Sequence, residues 1–324
     1  METGAGHGGT PELGGDPRED DLIRALRLLV ADEDLKVPAP RNGLGYNNLL
    51  YVSLLLAHLQ MTTNKDMQGE NATVFPVLCI EEPEAHLHPA LQRQLLRFIS
   101  TGVGGAGSEA EAAEARGFRQ AFLTTHSTHI TGASGLDDIV SLSRRSQSAD
   151  VDICYPGRLF GANQADAKRY VQRYLDATKS TMLFARGVLL VEGISELLLV
   201  PRFAEQLGSP LEDSLIAIVA CGGVTFRHFL TLFGVGSATP AAGSHLIRRV
   251  ACIMDADPWR RSTAGAKPRR SNCWPLLQGR DAPDCEYVAE SLAVQRLRRR
   301  TAGRGHVQVF PAELTLEYDL AMAN

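Results

Sequence analysis

The spacing of apolar residues predicts alternating helices and strands in the first half of the chain. The run NNLLYVSLLLAHLQ, residues 47–60, is apolar on every side and predicts a buried helix, and VFPVLCI, residues 74–80, is typical of a buried strand. HPALQRQLLRFIS, residues 88–100, has the apolar stripe of an amphipathic helix. Further apolar runs predict strands at 118–125 and 137–143. Alternation of this kind is typical of an α/β fold.

A second alternation begins after a predicted linking helix at residues 161–182. Its order of elements predicts a small parallel doubly wound sheet, and folds of this type bind ligands at the carboxyl ends of their strands. We therefore expect disordered residues 1–20, a first domain at 21–160 and a second domain at 183–324. In the second domain, strands are predicted at 187–191, 215–220, 249–254 and 306–310, and helices at 194–207 and 224–233.

Composition is typical of a soluble globular protein and limits the possible partners. Of 324 residues, 44% are hydrophobic and 22% are charged, and the net charge of −4 gives no general attraction to nucleic acid. The six cysteines form no CxxC pair, which favours a reduced protein in the cytoplasm. The longest apolar stretch, LLYVSLLLAHL, is far shorter than the roughly 20 residues of a membrane span, so we expect no membrane partner.

Two acids and a histidine follow successive predicted strands of the first domain. Glu81 and Glu82 end the run VLCIEE, and His126 ends FLTTH. Adjacent acids at the tip of a buried strand are costly to desolvate unless they hold a cation or polarise water. Taken singly, each residue is more often a solvated strand end or a satisfied polar cap.

In their order, with PEAHLHP between them, these segments resemble the Walker B, D-loop and switch-histidine segments of ABC-type ATPases related to SMC and recombination-repair proteins. The resemblance implies that Glu81 organises Mg²⁺, that Glu82 orients the attacking water and that His126 senses the γ-phosphate. The run NGLGYNNLLYVSLLLA looks like the signature segment of that family. There, Asn47 would belong to the residues that close on a nucleotide held by a second copy.

The sequence contains no GxxxxGK[ST] loop, whose backbone amides and lysine cradle nucleotide phosphates. The chain alone is therefore expected to bind ATP weakly or not at all. ATP becomes a cofactor only if a Walker A lobe is supplied elsewhere. Two explanations stay open: the chain is the carboxyl-terminal part of a longer protein, or its ATPase half is vestigial.

Four acids follow predicted strands of the second domain. Glu192 and Glu196 lie in VEGISE, after strand 187–191, and Asp255 and Asp257 lie in DAD, after strand 249–254. Glu196 could merely complement a helix N-terminus, which would leave Glu192 unexplained. Four carboxylates at one sheet edge cannot all be ionised without a cation, and hard oxygen ligands suit Mg²⁺ or Mn²⁺. The pattern therefore predicts a metal site for phosphate chemistry.

These motifs resemble the Toprim domain, in which Glu192 and Glu196 match the glutamate motif and Asp255 and Asp257 match the DxD. An ATPase segment followed by Toprim is similar to the arrangement of the OLD (overcoming lysogenization defect) nucleases. In that branch TLEYDLA looks like a late acidic segment, which makes Glu317 a further metal candidate. The resemblance implies a Mg²⁺- or Mn²⁺-dependent DNA endonuclease in phage defence or DNA repair. It also implies a homodimer and a helicase or a second ATPase lobe as partner.

Basic residues are concentrated at 248–304, where thirteen Lys and Arg stand against six Asp and Glu, a net charge of +7. A segment of this kind predicts phosphate-backbone binding around the metal site without base readout. It is equally typical of a solvated helix end, since Arg favours helix C-termini. The DNA-binding candidates are Arg260, Arg261, Arg269, Arg270, Arg298, Arg299 and Arg300.

Two other functions use the same features. A topology enzyme or primase would need a nucleophilic tyrosine domain or a zinc-binding region, and neither is recognisable. A non-catalytic module could clamp DNA or a partner through its ATPase-like half, with the acids playing a structural role. Removal of Asp255 separates nuclease from clamp, because only a nuclease loses cleavage while it keeps DNA binding.

Overall fold

The computed structural model describes ten stretches of the chain. The predicted disordered residues 1–20, the candidate Arg269 and most of the low-complexity run at 101–117 lie outside them. The described ranges are 29–32, 35–63, 75–101, 120–144, 150–223, 225–237, 245–262, 270–272, 285–288 and 290–323.

Contacts divide the chain into two compact units. The first unit comprises residues 1–78, 85–88 and 101–120, and the second comprises 79–84, 89–100 and 121–324. Glu82 and His126 therefore belong to the same unit as the Toprim-like sheet. This division differs from the domain boundary predicted near residue 182.

The first unit contains a β-hairpin and a long helix. Strands β1 (Leu29–Asp32) and β2 (Leu35–Pro38) pair antiparallel, and helix α1 spans Leu44–Thr63. The prediction that this helix is buried on all sides is wrong. Val52 and Leu56, four residues apart on one stripe, are 1% and 2% exposed, whereas Leu54 is 51% exposed. Within the described part of this unit, the helix buries the side of Val52 and Leu56 and leaves Leu54 exposed.

The start of α1 lies against the turn at residues 85–88. Asn48 Nδ2 donates to the carbonyl oxygen of Ala85 over 3.3 Å. A Cβ atom at Gly45 would stand 2.4 Å from the carbonyl oxygen of His86, a distance that no side chain tolerates. The absent side chain therefore allows the helix backbone to approach this turn.

A two-stranded sheet carries the acids and the histidine of the first constellation. Strands β3 (Val77–Glu81) and β4 (Gln120–Thr124) pair, followed by helices α2 (Pro89–Thr101) and α3 (Thr128–Ala133) respectively. The expectation of a buried strand at 74–80 is wrong, because Val77 is 53% exposed and Leu78 is the one buried residue of β3. Within the described ranges this sheet has no third strand to cover its faces.

A four-stranded parallel sheet forms the centre of the second unit, as predicted. Its four strands span Gly187–Val191 (β7), Ile216–Ala220 (β8), Arg249–Met254 (β9) and Val307–Pro311 (β13). Their order is β13-β9-β7-β8, with β7 and β9 as neighbours in the middle. Because β7 and β9 are paired from Gly187↔Arg249 to Val191↔Ile253, they end side by side.

Alternate residues of the sheet build the core. Leu190 of β7 and Cys252 of β9 are fully buried and share one face, against which Phe229 and Phe233 pack. Burial of these large side chains supplies the main stabilisation of the unit. Its helices are α4 (Ala165–Tyr174), α5 (Ile194–Gln206), α6 (Phe226–Phe229), α7 (Leu292–Thr301) and α8 (Leu316–Ala323).

Several elements differ from the predicted ones. The helix expected at 224–233 is the short α6 followed by a 3-10 turn at Leu230–Phe233, and the expected linking helix is α4 with a 3-10 turn at Lys179–Leu183. Short antiparallel strands also form. The strand β5 (Ser141–Arg144) overlaps the one predicted at 137–143 and pairs with β6 (Val151–Cys154). The strand β10 (Trp259–Ser262) pairs with β11 (Arg270–Asn272) and β12 (Cys285–Val288), and none of β6, β10, β11 and β12 was predicted.

None of the helices in the described ranges combines the length and the apolar character that crossing a bilayer requires.

Substitution at Gly45 tests the approach of α1 to its turn. We expect Gly45→Ala to lower the free energy of unfolding by about 1–3 kcal/mol, because the new methyl group meets backbone that cannot rotate away. Gly43→Ala is the matched control, since nothing lies within 4 Å of a Cβ there. Thermal or urea unfolding measures both variants, and equal stability of the two would contradict the close approach.

Candidate metal centre and switch-histidine loop

The carboxyl edge of the parallel sheet brings the second group of acids together. Glu192 follows β7, and Asp255 and Asp257 follow the neighbouring strand β9. The amides of Gly222 and Gly223 donate to the carbonyl oxygen of Glu192 over 3.1 and 2.9 Å. Both glycines have left-handed backbone, with φ of 73° and 81°, so the turn after β8 folds back onto this edge.

Glu192 lies at the centre of this group of carboxylates. Burial raises the pKa of its carboxyl to about 7, and the nearby charges of Asp255, Asp257 and Glu196 act in the same direction. Its Oε1 atom is buried and has no hydrogen-bond partner among the described residues. A buried oxygen of this kind has lost its hydration without compensation.

Asp255 has a similar environment. Burial is again the main cause that raises its pKa, to about 6, with smaller contributions from Asp257, Glu196 and Glu317. The amide of Leu316 donates to Asp255 Oδ1 over 3.0 Å and opposes this shift. The effects of the other acids on the pKa of Glu192 and Asp255 indicate that the five metal candidates form one electrostatic cluster.

Glu196 is the most deeply buried acid of the cluster, with 5% of its surface exposed. Its Oε2 accepts the amide of Gly193 over 3.0 Å at the start of α5. Glu196 therefore caps the N-terminus of α5, as considered from the sequence. The same carboxylate also raises the pKa of Glu192 and Asp255, so the cap and the cluster use one side chain.

Asp257 and Glu317 complete the cluster from its exposed side. Asp257 has a φ of 45°, a left-handed conformation that costs energy in a residue with a side chain. Glu317 lies in the first turn of α8, and Ser195 Oγ donates to its Oε1 over 3.0 Å. The hydrogen bonds from its own backbone amide and from Ser195 lower the pKa of Glu317.

The donor set fits a hard divalent cation, for which oxygen ligands are preferred. As positioned, no three His, Cys, Asp or Glu side chains of the described ranges ligate one ion together. Glu196 and Asp255 each give one oxygen to a backbone amide, which leaves the second oxygen of each and Glu192 Oε1 for a cation. A cavity of about 370 Å³, lined by Glu196, Asp255 and Asp319, opens beside them.

Two residues that follow β3 and β4, Glu82 and His126, lie close together. His126 Nε2 lies 3.4 Å from Glu82 Oε1, and both side chains are largely exposed. The amide of Glu82 donates to the carbonyl oxygen of Thr124, which ties the end of β3 to the end of β4. Glu82 has a φ of 44°. Two of the four non-glycine residues with positive φ in the described ranges, Glu82 and Asp257, are thus candidate catalytic acids.

Glu84 organises this loop and was missed by the sequence analysis. Its Oε1 accepts hydrogen bonds from Thr125 Oγ1 at 2.6 Å, from the amide of His126 at 2.9 Å and from the amide of Ser127 at 3.2 Å. Ser127 in turn caps α3 and donates to Gln92 Oε1. The signal was available, since Glu84 is the acid inside PEAHLHP, but its partners lie more than 40 residues away in sequence.

Asn47 lies in α1 of the first unit. Its Nδ2 donates weakly to the carbonyl oxygen of Asn42 over 3.5 Å, and its Oδ1 is buried without a partner among the described residues. An unsatisfied buried amide oxygen of this kind is costly. This oxygen therefore has an unused hydrogen-bonding capacity among the described residues.

The candidate DNA-binding arginines that the structure describes lie in three elements of the second unit. Arg298, Arg299 and Arg300 are in the last turn of α7, whose end leads into β13 at the amino edge of the sheet. The backbone of Arg300 therefore lies towards that edge, whereas the guanidinium of Arg298 reaches back to Glu290 at 3.1 Å, beside Ser291, whose amide donates to the carbonyl oxygen of Ala256. Arg260 and Arg261 are in β10 and Arg270 is in β11.

Comparison with known proteins agrees with this fold and cluster. Residues 11–131 match the AAA ATPase domain family, and residues 183–257 match the "Overcoming lysogenization defect protein-like, TOPRIM domain" family. The second match contains the glutamate and DxD motifs. The chain is therefore an α/β protein that combines an ATPase-type domain with a Toprim domain.

Two curated proteins are similar to part of the chain. The chain is 27% identical over 204 residues to the OLD nuclease of Thermus scotoductus, a match that covers 62% of this chain and 34% of that protein. It is 23% identical over 192 residues to Endonuclease GajA of Bacillus cereus, with 56% and 27% covered. The chain thus spans about a third or less of each relative. With the two domain matches, these similarities show that parts of the chain resemble proteins of the OLD type.

The raised pKa values predict how stability depends on pH without metal. Glu192 keeps its proton up to about pH 7 in the folded state but loses it near 4.5 when unfolded, so its ionisation destabilises the fold as pH rises between these values. We expect Glu192→Gln to unfold with a flatter pH profile in EDTA and to be more stable than the parent protein above pH 7.

Metal provides the second arm of this experiment. Mn²⁺ added above pH 7 should raise the melting temperature of the parent protein, because the cation offsets the repulsion, and should raise that of Glu192→Gln less. Glu205→Gln, at the far end of α5, is the matched control. The cluster is not a metal site if Mn²⁺ stabilises the parent protein and Glu192→Gln equally.

Proposed function

We propose that the protein is a DNA endonuclease that depends on Mg²⁺ or Mn²⁺. The observation that supports this most is the pair of neighbouring parallel strands that end in Glu192 and in Asp255, whose half-buried carboxyl groups have raised pKa values and no cationic partner among the described residues. Structural acids would be expected to have cationic partners, and no ion pair involving this cluster occurs among the described residues. Both curated relatives carry nuclease names.

The residues of the chain have separate tasks in this proposal. Glu192 and the free oxygen of Asp255 hold the cation, while the backbone contacts of Asp255 and Glu196 fix the direction of their carboxylates. Asp257 and Glu317 approach from the exposed side, where a DNA phosphate would enter. The bound metal would hold a phosphate oxygen and lower the pKa of an attacking water.

The ATPase-type half has a regulatory part in the proposal. Glu81 would organise Mg²⁺, Glu82 would orient water and His126 would sense a γ-phosphate, but only with a phosphate-binding loop supplied by another lobe or chain. Asn47 would approach a nucleotide held by a second copy, which makes a homodimer the natural assembly. A helicase partner and roles in phage defence or DNA repair are further parts of this proposal.

The decisive test is Asp255→Asn. Asparagine keeps the oxygen that accepts the amide of Leu316, so the fold should persist while the negative ligand is lost. With supercoiled plasmid and Mg²⁺ or Mn²⁺, we expect nicked and linear products from the parent protein and at least about 100-fold less from the variant. Duplex binding in EDTA should remain.

Glu205→Gln, an acid outside the cluster, is the control and should cleave as the parent protein does. Equal cleavage by the parent protein and Asp255→Asn would reject the metal site. Binding without cleavage by either would favour the DNA-clamping function instead.

The ATPase half permits a separate prediction. The purified chain should hydrolyse ATP no faster than a Glu82→Gln variant, because it has no loop to hold the phosphates. Release of phosphate from ATP measures this. Hydrolysis by the parent protein that disappears in Glu82→Gln would show that the chain contains a complete nucleotide site of another kind.

A further inference from the structure

A second cluster of charge lies at the amino edge of the parallel sheet. His306 precedes β13, Arg304 precedes it by two residues, and Arg300 is in the last turn of α7. His245 stacks on His306 with ring centroids 5.4 Å apart. His306 Nε2 lies 2.9 Å from the carbonyl oxygen of Phe233, which can only accept, so this nitrogen carries the proton.

The loop at residues 234–236 joins the histidines to Arg300. A Cβ at Gly234 would stand 2.9 Å from the ring of His245, and a Cβ at Gly236 would stand 2.7 Å from a guanidinium nitrogen of Arg300. Both glycines are left-handed, with φ of 84° and 71°. The loop therefore lies directly against the imidazole on one side and the guanidinium on the other.

A third histidine extends the cluster. Arg227 Nε lies 3.2 Å from His228 Nε2, and the ring of His228 stacks on Tyr170. Burial lowers the pKa of His228, and Arg227 and Arg300 act in the same direction. Burial likewise lowers the pKa of His245, with His306 and Arg304 adding to the effect. Both imidazoles thus face cationic neighbours.

No carboxylate neutralises these cations within the part of the chain that the structure describes. The contrast is clear inside α7, where Arg298 forms an ion pair with Glu290 at 3.1 Å and Arg300, two residues later, forms none. Cations that merely end a helix need no partner, but grouped cations repel one another. Arg227, Arg300 and Arg304 are exposed and form no ion pair with a described residue, so their grouped positive charge favours a polyanion over water.

We propose that this amino-edge surface is a second binding site for the phosphodiester backbone of DNA, separate from the metal centre. It is formed by Arg227, His228, His245, Arg300, Arg304 and His306. The identity of the ligand as DNA rests on the proposed nuclease function. The surface itself rests on the geometry and charge of these residues. Contacts of this type carry no base specificity.

The position of the surface distinguishes it from substrate contacts at the scissile phosphate. Strand β9 runs from Arg249 at the amino edge to Met254, immediately before Asp255, so the whole strand separates the two sites. Arginines at the metal centre would act on the reacting phosphate. Arginines at the opposite edge instead retain a segment of DNA that is not being cut.

The test compares Arg300→Ala/Arg304→Ala with the parent protein by fluorescence anisotropy of a labelled DNA duplex in EDTA. The double variant should bind about tenfold more weakly, and the slope of log K against log salt should become shallower by about 1.8, for two lost phosphate contacts. Arg300→Lys/Arg304→Lys should restore most of the binding, because phosphate recognition here needs charge and not the shape of guanidinium.

Arg202→Ala is the matched control, since Arg202 is an exposed helix arginine that already pairs with Glu205 at 2.7 Å. A double alanine variant that is folded by circular dichroism and has the affinity and salt slope of Arg202→Ala would overturn the proposal. So would failure of the lysine variant to restore binding.

Plasmid cleavage distinguishes this result from failure of the nuclease function. Loss of binding in the double variant, together with a parent protein that cuts nothing, would reject the nuclease and keep the surface. If the parent protein cleaves plasmid and the double variant binds DNA as tightly as the parent protein does, the nuclease function is supported and the second binding surface is rejected.

Discussion

Repulsion among buried carboxylates at the carboxyl edge of the parallel sheet is the constraint around which the Toprim-like part is organised. Glu192 and Asp255 are held close together because β7 and β9 are direct neighbours in register. Both carboxyl groups have raised pKa values, first because of burial and then because of neighbouring acids of the cluster. A fold retains such an arrangement only if something else stabilises it, and here the large core beneath the sheet does so.

Backbone hydrogen bonds hold these acids in place. Gly193 and Leu316 donate amides to Glu196 and Asp255, and each contact uses one carboxylate oxygen and leaves the other. The switch-histidine loop follows the same principle, with Glu84 accepting two backbone amides and one hydroxyl. In both places a carboxylate orients main chain and does not pair with a cation. Hydrogen bonds to backbone amides therefore fix the orientation of these acidic side chains, and salt does not screen such short contacts.

Much of the sheet and of the acidic cluster could be predicted from the sequence. The apolar runs that form β7 and β9 are sharply bounded by Glu192 and Asp255, so strand ends and acids appear together. Glu84 could not be assigned, because its role depends on partners that are distant in the chain. The exposure of α1 was missed because apolar composition gives no information on which sides acquire partners. Short strands such as β10 lack apolar alternation and were likewise missed.

The length of β9 has a geometrical consequence for any nucleic acid that contacts both edges of the sheet. Six residues of parallel strand cover roughly 20 Å, at about 3.3 Å per residue. The same distance corresponds to about six base pairs along one strand of a duplex, at about 3.4 Å each. The length of β9 therefore sets a minimum of about six base pairs for a duplex that is held at the amino edge of the sheet while it is cut at the carboxyl edge.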